Sequence, residues 1–275
     1  MNFHSDEWVM KQIDKHYEFA CDLYNEKNIV GLFCQGSTNY GLDIETSDID
    51  TKCIVVPSFK EIALMAKPVS TTNILPNNEY CDGKDIRLYM ETFRKQNLNF
   101  LEILFTPYFV INDLYFVEWM RLVEAREEIA HMNPYRAVKS MQGIAKEKYH
   151  AMEHRYPAKA EIIDKYGYDG KQVHHLLRVE DYLERYIAGE SYKDCLKPTP
   201  SRVGRMMDYK KLDIIPLQVA RLEAAESLER IDRMAAKFFE SKKDEEDTEV
   251  RALLDDVCYE IMKIAVEGEL GRWEV

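Results

Sequence analysis

Residues 36 to 50 read G-S-T-N-Y-G-L-D-I-E-T-S-D-I-D, and this stretch decides the fold. An apolar run from Ile29 to Cys34 precedes it, and a second apolar run from Cys53 to Val56 follows it. Continuous apolar runs of this length are typical of strands that are covered on both faces. The pattern therefore predicts a strand, a Gly-Ser turn, a short helical segment and a second strand that begins at an Asp-x-Asp pair.

The acidic pair predicts a site for a divalent metal and a nucleoside triphosphate. Asp48 and Asp50 stand two residues apart at the start of a predicted strand, so both side chains lie on one face. One or two carboxylates together with substrate phosphates are the usual ligands of Mg²⁺. Gly36 lets the backbone approach a phosphate closely, and Ser37 offers a hydroxyl and an N–H at a helix start. The alternative is that the Asp-x-Asp pair only forms a turn or a helix cap.

A third carboxylate is expected on a neighbouring strand. Residues 79 to 90 look extended, with Asp82-Gly83 as a turn signal inside them. Residues 84 to 89 alternate, which would put Asp85, Arg87 and Tyr89 on one face. Asp85 is therefore the candidate third ligand; Asp82 is the alternative, placed in the turn. The alternative is that Asp85 is only an exposed acid at the end of a strand.

Composition limits the classes of protein to consider. The chain has 275 residues, 46% of them apolar, and a net charge of −12, which permits a sizeable core and disfavours a nucleic-acid coat. Its six cysteines form no Cys-x-x-Cys pair, so neither zinc nor a disulfide framework is indicated. No signal-peptide core and no run of about 20 apolar residues is present. We therefore expect a cytoplasmic protein with reduced thiols and no membrane contact.

The remaining pattern predicts an α+β protein whose second half is helical. Residues 6–27 have helical periodicity, and Ser58 with Glu61 forms a capping box. Composition shifts near residue 110, so we expect a catalytic domain over 1–110 and a helical domain over 111–275. The helices expected in the later part of the chain are Phe93–Phe105, Leu114–Ile129, Tyr135–Glu153, Ala158–Lys165, Lys171–Ala188, Pro216–Ser241 and Thr248–Val266.

One of these helices carries a basic stripe. Lys171, His175 and Arg178 stand at i, i+4 and i+7 and so share one helix face. Basic side chains on an acidic protein suit a triphosphate, whose charge they neutralise. The alternative is an ordinary solvated helix face, since charged faces are common.

Three stretches give the chain its resemblance to a known superfamily. Residues 36–50 resemble the turn and acidic motifs of DNA polymerase β-type nucleotidyltransferases, and more closely those of a bacterial and phage branch of predicted nucleotidyltransferases. Residues 95–105, K-Q-N-L-N-F-L-E-I-L-F, are similar to a Lys-Gly-Asn-Pro-Asn-x-x-Glu-x-Leu-Phe stretch of that branch. Residues 168–178 are similar to its helical Lys-x-x-x-His-Leu-x-Arg motif. The resemblance covers about residues 29–190.

The resemblance implies a small mixed β-sheet core flanked by helices, followed by an α-helical C-terminal domain that closes over the nucleotide. It implies that Mg²⁺ or Mn²⁺ is bound by three catalytic carboxylates. It also implies a set of nucleotide-binding residues, with Gly36 and Ser37 on the triphosphate. The implied metal ligands are Asp48, Asp50 and Asp85. The candidate nucleotide-binding residues are Gly36, Ser37, Tyr40, Ser47, Lys171, His175 and Arg178.

The expected reaction moves an NMP from an NTP such as ATP to an acceptor and releases pyrophosphate. The acceptor is left open: an RNA end, a protein side chain, a small molecule or a second nucleotide. A different class of function is a non-catalytic, antitoxin-like or regulatory module that keeps the fold and binds nucleotide. The sequence does not give the base preference or the oligomeric state.

Overall fold

The computed structural model describes residues 3–211 and 215–271. These residues form two compact units. The first unit lies within Met1–Met132 and Glu246–Val275, and the second within Asn133–Glu245. Each unit is described by itself below.

The described strands and helices confirm the predicted α+β class. The strands are β1 (Ile29–Gln35), β2 (Asp50–Val55), β3 (Ser70–Ile74), β4 (Tyr80–Asp85) and β5 (Phe109–Ile111). The helices are α1 (Asp6–Leu23), α2 (Ser37–Tyr40), α3 (Phe59–Ala63), α4 (Ile86–Arg94), α5 (Leu98–Leu101), α6 (Phe116–Glu124), α7 (Arg126–Ala130), α8 (Pro134–Ala151), α9 (Ala160–Tyr166), α10 (Gly170–Ile187), α11 (Tyr192–Leu196), α12 (Pro200–Lys210), α13 (Leu217–Ser241) and α14 (Thr248–Glu269). Among the described residues, no helix is both long enough and apolar enough to cross a bilayer.

The five strands form one mixed sheet in the order β3-β4-β2-β1-β5. β1 is antiparallel to both β2 and β5, and β3 is antiparallel to β4. β2 and β4 are parallel, which requires the chain to cross over between them through α3 and β3. The predicted strands at 29–34 and 50–56 are confirmed as β1 and β2, and the capping box of Ser58 and Glu61 opens α3.

Helix α1 covers one face of the sheet because its apolar side chains recur at helical spacing. Val9, Ile13 and Ala20 are fully buried against side chains of β1 and β2, among them Leu32 and Cys53. This packing leaves the other face of the sheet for the polar side chains described below.

The extended arm predicted over 84–89 is wrong, because the chain turns helical after Asp85. The Asp85 carboxylate caps the start of α4 by accepting a hydrogen bond from the Arg87 N–H at 2.9 Å. Ile86, Tyr89, Met90 and Phe93 are buried at i, i+3, i+4 and i+7, which is the period of a helix rather than of a strand.

The predicted turn at Asp82-Gly83 is also wrong, since both residues lie inside β4. A Cβ on Gly83 would lie 2.1 Å from the Tyr24 hydroxyl, so glycine is needed here for a close approach within the sheet. The turn between β3 and β4 instead contains Asn78, whose φ is +66°.

The two compact units differ in their bounds from the division expected at residue 110. Helix α6 belongs to the first unit because it buries Trp119 and Leu122 there. Helix α14 returns to the first unit as well, where Arg121 of α6 forms an ion pair with Asp256 at 2.6 Å. The second unit is helical, and α10 packs against α8, α11, α12 and α13.

Candidate active site

The turn after β1 has a backbone conformation that only glycine adopts readily. Gly36 has φ +92° and ψ −152°, a region that is strained for any residue with a Cβ. Its N–H donates a hydrogen bond to Glu102 Oε1 at 3.0 Å, and the Glu102 side chain is buried. Asn39 closes the turn by donating from Nδ2 to the Cys34 carbonyl at 2.9 Å. The turn at Gly36 is therefore fixed by two hydrogen bonds, one to Glu102 and one from Asn39.

Strand register brings this turn and the acidic pair to the same edge of the sheet. In the antiparallel pair of β1 and β2, Gln35 lies opposite Asp50, and Cys34 lies opposite Thr51. Opposed residues in such a pair have Cα atoms about 5 Å apart. The end of β1, which leads into Gly36, is therefore adjacent to the start of β2.

The acidic pair points away from the core, as the alternation in the sequence predicts. Asp48 is exposed, Ile49 is fully buried and Asp50 is half-buried. Asp50 Oδ1 accepts a hydrogen bond from the Tyr80 N–H at 2.9 Å, which ties the start of β2 to the start of β4.

A buried glutamate fixes the backbone between the two aspartates. Glu79 Oε1 accepts a hydrogen bond from the Ile49 N–H at 3.0 Å, and Glu79 Oε2 lies 3.0 Å from His16 Nε2. His16 Nδ1 in turn lies 2.9 Å from Thr51 Oγ1. Burial raises the pKa of Glu79, but the hydrogen bonds from His16 and from the Ile49 N–H outweigh it, so the pKa is lowered overall.

Tyr40 and Ser47 lie in the segment between the turn and the acidic pair. The Tyr40 side chain is 95% buried, as part of α2. Ser47 Oγ accepts a hydrogen bond from the Ile44 N–H at 2.8 Å, so its hydroxyl helps to shape the loop that leads to Asp48. Their role in nucleotide binding stays a prediction.

Asp85 does not lie beside the acidic pair. It pairs in register with Val55, at the far end of β2 from Asp50. Five residues of strand and one strand spacing separate the Cα atoms of Asp50 and Asp85 by about 17 Å. The Asp85 carboxylate is 1% exposed and is bound by the Arg87 guanidinium, with Nη2 to Oδ2 at 2.6 Å. The expectation that Asp85 adjoins the pair is corrected: its carboxylate caps a helix.

Asp82, the alternative, lies on the same face as Asp50. It is opposite Lys52, and Lys52 follows Asp50 by two residues on β2. The Cα atoms of Asp50 and Asp82 are therefore about 8 Å apart. Asp82 Oδ1 accepts a hydrogen bond from the Thr72 hydroxyl at 2.7 Å, and Oδ2 lies 3.7 Å from Lys52 Nζ. Burial lowers the pKa of Lys52 to about 8, although Asp82 opposes this effect.

The donor set fits a metal that arrives with its substrate. Carboxylate oxygens suit Mg²⁺ or Mn²⁺, and Mg²⁺ in particular is bound through one or two carboxylates and substrate phosphates. Across residues 3–211 and 215–271, no group of three or more His, Cys, Asp or Glu side chains is arranged to hold a metal ion.

The predicted basic stripe lies on α10 and runs from solvent into the interior of the second unit. Lys171 is exposed, His175 is half-buried and Arg178 is 5% exposed. Burial lowers the pKa of His175 well below its usual value, and the charges of His174 and Arg178 add to this effect. The stripe is therefore not an ordinary solvated face over its whole length.

The neighbours of the stripe have structural contacts within the second unit. His174 is 2% exposed and its Nδ1 lies 2.9 Å from the Met206 carbonyl oxygen. Glu180, an acid on the otherwise apolar side of α10, binds Arg230 Nε at 2.6 Å and accepts a hydrogen bond from the Ser227 hydroxyl. These contacts join α10 to α12 and α13.

Two residues that hold the turn and the acidic pair in place, Glu79 and Glu102, were not singled out from the sequence as site residues. Each accepts a backbone hydrogen bond at the turn or at the acidic pair from a residue at least 30 positions away. Glu102 lies within the stretch that carried the family resemblance, and that was its one signal. No sequence signal pointed to Glu79, apart from its position just before β4.

Comparisons with known proteins add no assignment: no family model matches the chain, and no curated protein matches its sequence.

Proposed function

We propose that the first unit is a metal-dependent nucleotidyltransferase that moves an NMP from an NTP to an acceptor. The observation that carries the proposal is the shared sheet edge of the Gly36 turn and Asp50, whose strands are paired at Gln35 and Asp50. A tight glycine turn beside two outward-facing carboxylates suits a triphosphate bound through a divalent metal.

In this proposal the chain's own residues have separate tasks. Asp48 and Asp50 hold the metal together with phosphate oxygens of the nucleotide. Gly36 and Ser37 contact the triphosphate, because the Gly36 backbone has no side chain in the way: a Cβ there would have no neighbour within 4 Å among the described residues. Glu79 and Glu102 position the acidic pair and the turn through the hydrogen bonds to Ile49 and Gly36.

The transfer step exchanges one P–O bond for another. An acceptor oxygen bonds to the α-phosphorus, the bond from the α-phosphorus to the bridging oxygen breaks, and pyrophosphate leaves with that electron pair. The bound metal would neutralise charge on the attacking and leaving oxygens. Asp82 lies on the face of Asp50, and we assign it the role of base: its carboxylate would accept the acceptor's proton once its contact with Lys52 has opened.

Lys171, His175 and Arg178 remain predicted nucleotide contacts of the second unit. The support for Lys171 and Arg178 is that cationic side chains neutralise phosphate charge, while the half-buried His175, whose pKa is lowered, would act as a neutral hydrogen-bonding group.

The experiment is transfer from α-labelled NTPs to a panel of acceptors in Mg²⁺, with matched variants. Asp48→Asn and Asp50→Asn remove one negative charge each without changing side-chain volume, and each should abolish transfer and weaken NTP binding. Glu45→Gln is the control, because Glu45 is an exposed acid of the same loop. Transfer and binding that are unchanged in both aspartate variants would refute the proposal.

One observation favours the non-catalytic alternative, a nucleotide-binding regulatory module. The Asp82 carboxylate, the third acid on this face, already has Lys52 and Thr72 as partners. Under that alternative, wild-type protein binds Mg²⁺ and NTP with the same dependence on Asp50 but releases no pyrophosphate with any acceptor.

A further inference from the structure

A small polar cavity lies on the open face of the sheet, on the β4 side of Asp50. Its volume is about 200 Å³. The lining side chains are mostly hydroxyl-bearing, charged or aromatic. They are Ser70, Thr71, Thr72, Asp82, Lys84, Tyr89 and Phe100. That volume is several times the roughly 30 Å³ of a water molecule, enough for a tetrahedral anion and the atom that carries it.

Two ammonium groups gather at this cavity. Lys84 Nζ lies 4.1 Å from the centre of the Phe100 ring, and Lys52 Nζ lies 4.4 Å from the same centre. The pKa of Lys84 is lowered below its usual value, with burial as the largest cause, although the charge of Asp82 opposes this effect. Holding two like charges partly out of water costs free energy.

One carboxylate faces this pair of lysines within the cavity lining. Asp82 Oδ2 is 3.7 Å from Lys52 Nζ, while Asp82 Oδ1 is already bound by the Thr72 hydroxyl. Asp50 also acts on Lys52, which lies outside the lining, and Lys95 acts on Lys84, so the three lysines and two aspartates together leave one net positive charge. The local balance therefore favours an added anion.

A buried hydroxyl supplies the second, independent observation. Tyr89 is 0% exposed, and its hydroxyl has no hydrogen-bond partner among the described residues. Leaving a buried hydroxyl unsatisfied is unfavourable, and such groups in folded proteins usually have an explanation. Burial raises the pKa of Tyr89 well above its usual value, and the charge of Asp82 adds to this, so the hydroxyl stays protonated and can donate a hydrogen bond. It offers a donor to a ligand that enters the cavity.

We propose that this cavity binds a phosphate group carried by the acceptor, so that the acceptor is a phosphorylated molecule. The assignment of this phosphate to an acceptor rests on the proposed function, whereas the phosphate site itself does not. Lysine ammonium groups and a phenol hydroxyl are donors to phosphate oxygens.

The strand order assigns this phosphate to the acceptor rather than to the nucleotide. The Gly36 turn follows β1, the cavity lies on β4 and β3, and Asp50 lies on β2 between them. An in-line displacement has its attacking and leaving groups on opposite sides of the reacting phosphorus. With pyrophosphate on the Gly36 side of Asp50, the attacking molecule comes from the side of the cavity.

The test is a calorimetric titration of inorganic phosphate into wild type and four variants. Lys84→Met should weaken binding about tenfold or more, since it removes a charged donor, and Tyr89→Phe should weaken it by about two- to tenfold. Lys84→Arg keeps the charge and should stay within a few-fold of wild type. Lys60→Met removes an exposed lysine of the same unit and should have no effect.

Thermal unfolding of Tyr89→Phe separates binding from folding. Removal of an unsatisfied buried hydroxyl should leave the melting temperature unchanged or raise it while phosphate binding weakens. Wild-type affinity for phosphate in Lys84→Met and Tyr89→Phe, or no phosphate binding by wild type, would overturn the proposal.

A second titration distinguishes the two sources of phosphate. Saturating Mg²⁺ with a non-hydrolysable NTP should leave the Lys84-dependent phosphate binding intact, and glycerol 3-phosphate should bind there whereas glycerol should not. Loss of the Lys84-dependent component in the presence of nucleotide would assign the cavity to the NTP and refute the acceptor assignment. If the proposed function is wrong, Asp50→Asn should bind NTP normally. That result would leave the outcome of the phosphate titration unaffected, so the two failures can be told apart.

Discussion

The Ile49 N–H donates a hydrogen bond to Glu79 Oε1 across 3.0 Å, and this contact lies between the two aspartates of the acidic pair. Because Ile49 is fully buried, its backbone position determines the direction in which Asp48 and Asp50 leave the strand. Glu79 has no chemistry of its own in the proposed transfer step, but it sets the geometry of the two aspartates to which the proposal assigns that step.

Glu79→Gln should therefore weaken both the fold and the site. An amide in place of the carboxylate loses charge-assisted hydrogen bonding to His16, which we expect to cost about 1–3 kcal/mol of unfolding free energy. Binding of Mg²⁺ with NTP should weaken as well, and denaturant unfolding with parallel calorimetry measures both effects. Wild-type stability together with wild-type affinity in this variant would contradict the positioning role of Glu79.

The same variant should change the response to acid. The folded-state pKa of Glu79 is lowered, so its contribution to stability is present above the ordinary value of 4.5 and is lost as the pH falls through the folded-state pKa. Glu79→Gln should therefore lose less stability than wild type between pH 5 and the acid limit of folding. An acid response identical to that of wild type would show that folding does not lower the pKa of Glu79.

Gly36→Ala should destabilise the protein through backbone strain alone. The expected cost is about 1–3 kcal/mol, because φ +92° with ψ −152° is open to glycine and strained for alanine. Gly143→Ala is the matched control: Gly143 is exposed within α8, where alanine should gain about 0.5–1 kcal/mol. Equal effects of the two substitutions in denaturant unfolding would rule out strain at the turn.

Asp85→Asn should reduce stability without reducing nucleotide binding. Asparagine still caps α4, but the pair with Arg87 is lost; the Arg87 side chain is 36% exposed, so the cost should be only about 1–2 kcal/mol. Because Asp85 lies at the far end of β2 from Asp50, Mg²⁺-dependent NTP affinity should stay within a few-fold of wild type. A loss of affinity as large as that of Asp50→Asn would restore Asp85 to the metal site.

His174 should make the second unit sensitive to mild acid. Burial lowers its pKa in the folded protein to about 4, below the ordinary 6.5, so the unfolded chain takes up a proton that the folded chain resists. Stability should fall by roughly 1–3 kcal/mol as the pH decreases from about 6.5 towards 4. His174→Asn should give a shallower decline, because its amide can still donate to the Met206 carbonyl but has no proton to gain. A decline as steep as in wild type would assign the effect to His175 or to the carboxylates.

Local patterns predicted those parts of the fold that depend on neighbouring residues. The apolar runs, the glycine turn and the period-two pair gave β1, β2 and the outward direction of Asp48 and Asp50 correctly. The arm after Asp85 failed because Ile86 and Leu88 alternate with polar residues over a few positions, which imitates a strand. The helical spacing of Ile86, Met90 and Phe93 becomes evident only over a longer window.

The rest of the candidate site depends on long-range register that no local pattern contains. β2 and β4 are parallel, so the start of β4 lies beside the start of β2 and the end of β4 lies beside the end of β2. This register puts Asp85 far from Asp50 and Asp82 on the face of Asp50, and the expected turn at Asp82-Gly83 gave no sign of it. The acceptors of the Gly36 and Ile49 N–H groups, Glu102 and Glu79, were hidden for the same reason.

The central claim is that this sheet edge binds Mg²⁺ together with an NTP. Its direct test is to measure the binding of a non-hydrolysable NTP, with and without Mg²⁺, to wild type, Asp50→Asn and Asp85→Asn. We predict that wild type binds the nucleotide with Mg²⁺ and binds neither component well alone, since Asp48 and Asp50 suit a metal held jointly with phosphate. Asp50→Asn should lose about tenfold or more in affinity, the scale expected for a charged ligand contact, while Asp85→Asn should keep wild-type affinity. Equal binding by wild type and Asp50→Asn, or binding that is indifferent to Mg²⁺, would contradict the assignment of this sheet edge as the nucleotide site.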